Sequence, residues 1–259
     1  MKIKEITQAI EAYAPLELQE SFDNAGVQVG DVEREVTGVL LCTDVREPIV
    51  AEALELGCNL IISHHPLIFH AIKKLDGSDY VKRIVATAIK HDLTIYAAHT
   101  NMDITLGGVN HKMAEKLALT GVEVLDDTGE QDHLGVIGDL PVPLDALDFL
   151  RRVKDAFGCA AVRYSGDTAR PVSRVALCGG SGAFLKAKAI ARGAHAFVTA
   201  DVKYHEFMGD EDRLLLADIG HYESEQFTKE IFCDIICKKN PNFAVHFAKN
   251  EQNQLKYLI

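Results

Sequence analysis

Residues 39–65 read VLLCTDVREPIVAEALELGCNLIISHH, a run that contains a strand, a helix and a second strand. Val36–Cys42 and Leu60–Ile62 are apolar and typical of buried strands, whereas Pro48–Leu56 has the pattern of a helix. Comparable strands and helices follow, for example at Leu93–Ala98 and Val109–Leu119. Strands linked by helices predict parallel sheets with both faces covered, so the fold class is α/β.

The second half of the chain repeats this plan. Val39–Cys42 resembles Val175–Cys178 at an offset of 136 residues, and the same offset aligns further positions. These are Ala51 with Ala187, Ala53 with Ala189, Gly57 with Gly193, and Ser63 with Thr199. We interpret the pattern as an internal duplication. The alternative is that all strand–helix–strand units look alike, because Val, Ala and Gly are common.

The predicted domain boundaries follow from the segment between the halves. Asp126–Asp132 is acidic and rich in turn formers, which indicates a linker or an exposed loop. Ala244–Phe247 and Lys256–Ile259 suggest a closing hairpin that returns to the first sheet. We therefore predict a first domain of residues 1–125 plus 235–259 and a second domain of residues 126–234.

Composition excludes several classes of function. The 259-residue chain carries a net charge of −11, and an acidic surface disfavours nucleic-acid binding. No apolar run is long enough to cross a membrane, and the amphipathic N-terminus indicates a helix rather than a signal peptide, so we expect a cytoplasmic protein. None of the six cysteines forms a CxxC pair, which argues against a cysteine-rich zinc site.

Histidines and carboxylates follow the predicted strands. His64 and His65 come directly after one strand, where parallel sheets open their ligand crevices. His99 and Asp103 follow the next strand, and the second half offers His221 and Glu225 in the same His-x-x-x-carboxylate spacing, at an offset of 122. On a helix that spacing puts both side chains on one face. Each pattern alone also fits a polar loop or a helix cap.

Taken together, these residues predict a metal site. Mixed nitrogen and oxygen ligands suit Zn, Fe, Mn, Co or Ni better than Ca or Mg. Two carboxylates that can bridge allow two ions. The Cys178–Gly182 turn between a strand and a helix suggests an anion-binding nest, although a tight turn that packs closely explains it equally well.

The whole chain resembles the NIF3-like proteins, also called GTP cyclohydrolase 1 type 2 homologues. The resemblance lies in the order of several motifs along the sequence. They are Ser21–Gly30, Ser63–Pro66, His99–Asp103, Cys178–Gly182, Thr199–His205 and Gly220–Glu225. The family often has Trp where this chain has Phe22, and the chain lacks the inserted domain of longer members.

The resemblance implies two similar α/β domains that face each other across a dinuclear metal centre, and a toroidal homohexamer. By motif, it implies that two divalent ions are bound by His64, His65, Asp103, His221 and Glu225, with Glu225 bridging. His99 matches a position beside the metals, as a ligand or a proton carrier. No membrane or nucleic-acid partner is expected.

Two functions are consistent with these residues. The first is a metal-dependent hydrolase that acts on a nucleotide-like substrate, with GTP cyclohydrolase activity suggested by the family label. The second is a non-catalytic regulatory or interaction scaffold centred on the metals. A purely structural zinc site is a weaker third hypothesis, because such sites are usually closed and rich in cysteine.

Overall fold

The computed structural model describes residues 1–126 and 133–258, in which helices and strands alternate as the sequence predicts. The helices are α1 (Ile3–Tyr13), α2 (Glu47–Glu55), α3 (Tyr80–Lys90), α4 (Thr100–Ile104), α5 (Val109–Lys116), α6 (Ala146–Phe157), α7 (Lys186–Ala191), α8 (His221–Glu225) and α9 (Thr228–Lys239). The strands are β1 (Gly26–Val29), β2 (Val39–Cys42), β3 (Leu60–Ser63), β4 (Thr94–Ala97), β5 (Thr120–Val124), β6 (Val136–Leu144), β7 (Arg163–Ser165), β8 (Val172–Ser181), β9 (Ala196–Ala200), β10 (Leu215–Asp218) and β11 (Val245–Phe247). Within these ranges no helix combines the length and apolar character that crossing a bilayer requires.

The chain forms two compact units. Unit 1 consists of Met1–Thr105 and Thr228–Gln252, and unit 2 consists of Leu106–Phe227 and the C-terminal residues from Asn253 onward. Each unit has its own sheet with helices packed on it. The predicted fold class of two similar α/β domains is therefore confirmed.

The described part of unit 1 contains a five-stranded sheet in the order β1-β4-β3-β2-β11. The strands β2, β3 and β4 are parallel, and β1 is antiparallel to β4 at the edge. Leu40 pairs with Ile61, which pairs with Ile95 on the next strand, and all three side chains are buried in one apolar core. Because helices cover this sheet, its central strands are continuously apolar, as the sequence pattern requires.

Unit 2 repeats the same central arrangement. Its six described strands lie in the order β5-β6-β8-β9-β10-β7, with β8, β9 and β10 parallel and β7 antiparallel to β10 at the edge. Phe149 and Phe157 of α6 pack in the core on one face of the sheet, and Phe197 of β9 packs in the core on the other. The strands β8 to β10 thus correspond to β2 to β4, and β7 corresponds to β1, which supports the duplication.

The unit boundaries differ from those we predicted. We assigned residues 106–125 to the first domain, but β5 pairs antiparallel with β6, which places these residues in unit 2. We expected the first domain to resume at residue 235, but α9 starts seven residues earlier and packs on α1 and β2. The acidic segment therefore connects two paired strands of one unit; its residues 127–132 lie outside the described residues.

The predicted C-terminal hairpin is wrong, although its first strand does return to the sheet of unit 1 as expected. Val245–Phe247 forms β11, which pairs parallel with β2 rather than antiparallel with the end of the chain. Residues 248–258 contain no strand, and residue 259 lies outside the described residues. The Asn253 side chain instead donates a 2.8 Å hydrogen bond to Glu223, which ties the last residues to unit 2.

Each half of the chain contributes one helix to the other unit. The segment after α4 enters unit 2, where α5 packs on β8. The segment after α8 enters unit 1, where α9 packs on β2. Since β2 and β8 occupy corresponding positions, the exchange is reciprocal, and sequence periodicity gives no signal of it.

We expect Phe232→Ala to destabilise unit 1, although α9 follows unit 2 in the sequence. Phe232 is fully buried, and truncation of such a side chain costs about 3–5 kcal/mol. Hydrogen exchange should accelerate in β2 and β3, while β8 and β9 keep their protection. The control is Phe184→Ala, whose side chain is exposed and should matter little. Faster exchange confined to unit 2 would contradict the assignment of α9.

Candidate functional site

Three imidazoles cluster where strands of unit 1 end. The strand β3 ends at Ser63, so His64 and His65 lie on the turn that follows, and His99 lies two residues after β4. The ring centroids of His64 and His65 are 4.9 Å apart, and His99 is 5.3 and 5.4 Å from them. Each residue offers one ring nitrogen, and these three atoms lie within 4.8 Å of one another. The histidine pair and His99 are thus brought together as the sequence suggested.

Each of these rings is oriented through its Nδ1 atom. In every case the partner is an oxygen that accepts a hydrogen bond, so the Nδ1 atom carries the hydrogen and the Nε2 atom keeps its lone pair. The pairs are His64 with the Ala98 carbonyl oxygen at 3.0 Å, His65 with Asp44 at 2.8 Å, and His99 with Asp23 at 2.7 Å. This is the tautomer that a metal-binding histidine needs at Nε2.

Asp23 is held in its charged form. Burial by itself raises the pKa of this carboxyl group, but the hydrogen bonds from His99 and Thr100 outweigh it and lower the pKa to about 2. The backbone N–H groups of Asn24 and Thr100 also donate to Asp23, at 2.6 and 3.1 Å. A permanently charged acceptor fixes the orientation of the His99 ring.

Asp103 reaches the same cluster from α4. Its Oδ1 atom lies 3.7 Å from the Nε2 atom of His64. Two ligand atoms that each lie about 2.1 Å from one tetrahedral ion are roughly 3.4 Å apart. The distance between His64 Nε2 and Asp103 Oδ1 is therefore close to that expected for two ligands of the same ion. The His64 side chain is fully buried and that of Asp103 is mostly buried, so a charge at this point would be shielded from water.

In unit 2, His221 and Glu225 lie one turn apart on α8, as their spacing predicts. The Nε2 atom of His221 is 3.0 Å from Oε2 of Glu225, and its Nδ1 atom is 2.7 Å from Oδ2 of Asp201. Burial lowers the pKa of His221, but the hydrogen bonds to Asp201 and Glu225 outweigh it and raise the pKa to about 11. His221 is therefore an imidazolium between two carboxylates when no other cation is bound.

The duplication explains why the two clusters differ. The offset of 136 aligns His64 with Ala200 and His65 with Asp201. In unit 2 the paired histidines are thus replaced by an alanine and by the carboxylate that orients His221. Asp201 adopts a left-handed backbone with φ of 54°, which a short polar side chain tolerates. Unit 1 therefore supplies most of the imidazoles, and unit 2 supplies a buried carboxylate.

The Cys178–Gly182 segment, most of which continues β8, is not the anion-binding nest that we considered. The N–H groups of Gly179, Gly180 and Gly182 donate to the side chains of Asn110, Ser224 and Thr199, so they are not directed at a ligand. Gly180 serves close packing instead. A Cβ atom at Gly180 would lie 2.3 Å from Oε1 of Glu225, and its φ of +58° also favours glycine.

Sequence reasoning missed the carboxylates that orient the imidazoles. Asp44 lies two residues after β2, and Asp201 lies directly after β9, so both occupy strand ends where ligands were sought. Asp23 lies within the quoted Ser21–Gly30 motif, but nothing in that motif connects it to His99. Their positions at strand ends were the signal that could have identified Asp44 and Asp201.

These features define a class of protein: a duplicated α/β chain that presents oriented imidazoles and carboxylates at its strand ends. The chain belongs to the DUF34/NIF3 family, because residues 1–254 match the family described as Duf34/NIF3 (NGG1p interacting factor 3). The family resemblance seen in the sequence is thereby confirmed.

Relatives cover most of the chain. A Streptococcus pneumoniae protein is 36% identical over 236 residues, which is 89% of each chain, and a Clostridium perfringens protein is 34% identical over 229 residues, which is 87% of each. Both are named GTP cyclohydrolase 1 type 2 homolog. The crystal structure of Staphylococcus aureus hypothetical protein SA1388 is similar with a TM-score of 0.90 and 27% identity, covering 100% of this chain and 99% of that one.

We expect Gly180→Ala to disturb unit 2 much more than Gly193→Ala. Both glycines have positive φ, but a Cβ atom at Gly193 meets nothing within 4 Å. Both variants therefore lose about 1 kcal/mol or more of stability through backbone strain. Gly180→Ala loses about 1–3 kcal/mol more, because the new methyl group overpacks against Glu225. Denaturant unfolding of both variants measures the difference, and equal losses would contradict this contact.

Proposed function

We propose that this protein is a metal-dependent hydrolase that uses two divalent ions and acts on a nucleotide-like substrate. His64, His65 and Asp103 of unit 1 and His221 and Glu225 of unit 2 would bind the ions, with Glu225 as the bridging ligand. The observation that carries the proposal is the set of hydrogen bonds at Nδ1, which directs the Nε2 atom of each histidine toward a ligand.

The donor set fits such ions. Imidazole nitrogens together with carboxylate oxygens suit Zn, Fe, Mn, Co or Ni, and a carboxylate behind a ligating histidine is the usual outer partner at such sites. Asp44 and Asp201 have that position behind His65 and His221. Glu225 is almost fully buried and is neutralised by the His221 imidazolium at 3.0 Å, so an ion bound to both residues would take the place of the proton at Nε2.

The proposal requires the ligands of both units to meet, and the chain permits it. Five residues separate Asp103 from Val109, so the six steps between them span at most about 20 Å. Gly179 lies against the side chains of both Val109 and Glu225. The chain connection therefore does not prevent the two carboxylates from binding the same ions.

Bound divalent ions would lower the pKa of a water molecule and polarise the substrate. The side chains of the protein would orient the reacting groups and move protons. His99 would accept or donate a proton at Nε2 while Asp23 holds the ring from the other side. Alternatively, His99 serves as a sixth ligand, since its ring lies as close to His64 as to His65.

The relatives support a nucleotide substrate through their name alone, GTP cyclohydrolase 1 type 2 homolog. The toroidal homohexamer implied by the family resemblance and the cytoplasmic location expected from the composition stay predictions. Light scattering of the purified protein would measure the oligomeric state. A metal-loaded protein that turns over no nucleotide but captures a partner in a metal-dependent way would favour the scaffold hypothesis instead.

Metal analysis tests the ligand set. Under metal-replete conditions we expect about two ions per chain. We expect Asp201→Asn to weaken metal affinity about 10–100-fold, because the outer partner of His221 loses its negative charge. Asp155→Asn is the control, since it makes the same change at an exposed position of unit 2. Fewer than about one ion per wild-type chain would overturn the paired-metal proposal.

Turnover tests the hydrolase. We expect metal-dependent consumption of GTP by the wild type and a loss of at least about 100-fold in Asp103→Ala and Glu225→Ala, because each removes a proposed ligand. The assay should include other nucleotides and phosphoesters, measured with and without a chelator. Equal turnover in the wild type and both variants would show that the activity comes from a contaminant.

A further inference from the structure

The Ser21–Gly30 motif also positions the loop after His65. The side-chain N–H of Asn24 donates a 2.6 Å hydrogen bond to the carbonyl oxygen of Ile68. The side-chain oxygen of Gln28 accepts a 3.0 Å hydrogen bond from the N–H of the same residue. With both backbone groups of Ile68 held, the next residue, Phe69, has a fixed place beside the imidazoles.

Phe22 and Phe69 form an exposed aromatic pair at this place. Their ring centroids are 6.4 Å apart, and Phe69 lies 6.3 Å from the ring of His99. The two side chains are 63% and 43% exposed, although aromatic rings are the side chains that gain most from burial. An exposed aromatic pair next to oriented imidazoles has the character of a binding surface.

A cavity of about 530 Å³ adjoins Phe69, and its volume is within the size range of small-molecule sites. Phe69 lines it together with Lys73, Lys74 and Lys82. Asp76 and Asp79 pair with Lys82 at 3.3 and 3.2 Å. Lys73 and Lys74 make no ion pair with any described residue, so their charges are available to a ligand in a chain of net charge −11.

We infer that Phe22 and Phe69 bind the planar ring of the substrate and that Lys73 and Lys74 bind its anionic tail. The ligand class is a nucleoside phosphate whose base stacks on Phe69, near His99. Stacking is tolerant of the base, because every base has a π-face, so the site accepts adenine as well as guanine. This inference rests on the proposed hydrolase, since it assigns a substrate to the same imidazoles.

The sequence offers a sensitive probe, because the chain has no tryptophan. Phe22→Trp places a single indole in the aromatic pair, and its fluorescence reports the binding of GTP, ATP, guanosine and inorganic triphosphate. We expect both nucleotides to change the signal with similar affinity. Adding Phe69→Ala should weaken GTP, ATP and guanosine at least about 5-fold through the loss of stacking.

The lysine pair is tested by reversing its charge. Combined Lys73→Glu and Lys74→Glu should weaken GTP, ATP and triphosphate about tenfold or more and leave guanosine unchanged. Combined Lys238→Glu and Lys239→Glu is the matched control, an exposed adjacent pair on α9 with the same charge change. Phe184→Ala is the control for an exposed phenylalanine. All these side chains are exposed, and thermal unfolding verifies that the variants fold.

Several outcomes would overturn the inference. The first is a GTP affinity that neither Phe69→Ala nor the reversal of Lys73 and Lys74 changes. The second is an altered oligomer mass with unchanged nucleotide affinity, because that result would make this face a contact between copies of the chain. Metal content is measured on the same samples. Normal metal content together with nucleotide binding that does not depend on Phe69, Lys73 and Lys74 contradicts only this inference. Absence of metal from the wild type, or normal metal content without any nucleotide binding, contradicts the proposed function.

Discussion

The candidate site depends on one interaction, a hydrogen bond from Nδ1 of each histidine to an oxygen acceptor. Ala98, Asp44, Asp23 and Asp201 provide these acceptors. Each of these bonds fixes the ring orientation, and in a neutral ring it also fixes the tautomer, so the direction of each Nε2 atom is set by its surroundings before any ligand arrives. Without them a histidine on a turn would sample several rotamers, and binding would cost the entropy of ordering each ring.

The duplication supplied the scaffold, and divergence then separated the roles of the two units. The strands β2 to β4 and β8 to β10 keep the same order and direction, and the His-x-x-x-carboxylate segment recurs after β4 and β10. The residue that is a clustered imidazole in unit 1, His65, is an orienting carboxylate in unit 2, Asp201. The missing Cβ atom at Gly180 then allows Glu225 to lie against the backbone of β8.

Much of this could be predicted from the sequence. Apolar runs located β2, β3, β4 and β8, and the clustering of His64, His65 and His99 followed from their positions after parallel strands. Asp23 could not be predicted as an orienting carboxylate, because it reaches His99 from 76 residues away and no local pattern links the two residues. The placement of α5 and α9 could not be predicted from the sequence either, because periodicity shows that a helix has an apolar face but not which sheet that face covers.

The reciprocal exchange of α5 and α9 has a consequence for synthesis of the chain. Unit 1 lacks α9 and β11 until residues 228–252 have left the ribosome, so its sheet keeps β2 as an open edge while the whole of residues 106–227 is being made. The contacts that complete it join residues about 200 positions apart, such as Val39 and Val245. The sheet of the first unit is therefore completed after that of the second, with an exposed strand edge in the interval that chaperones would have to protect.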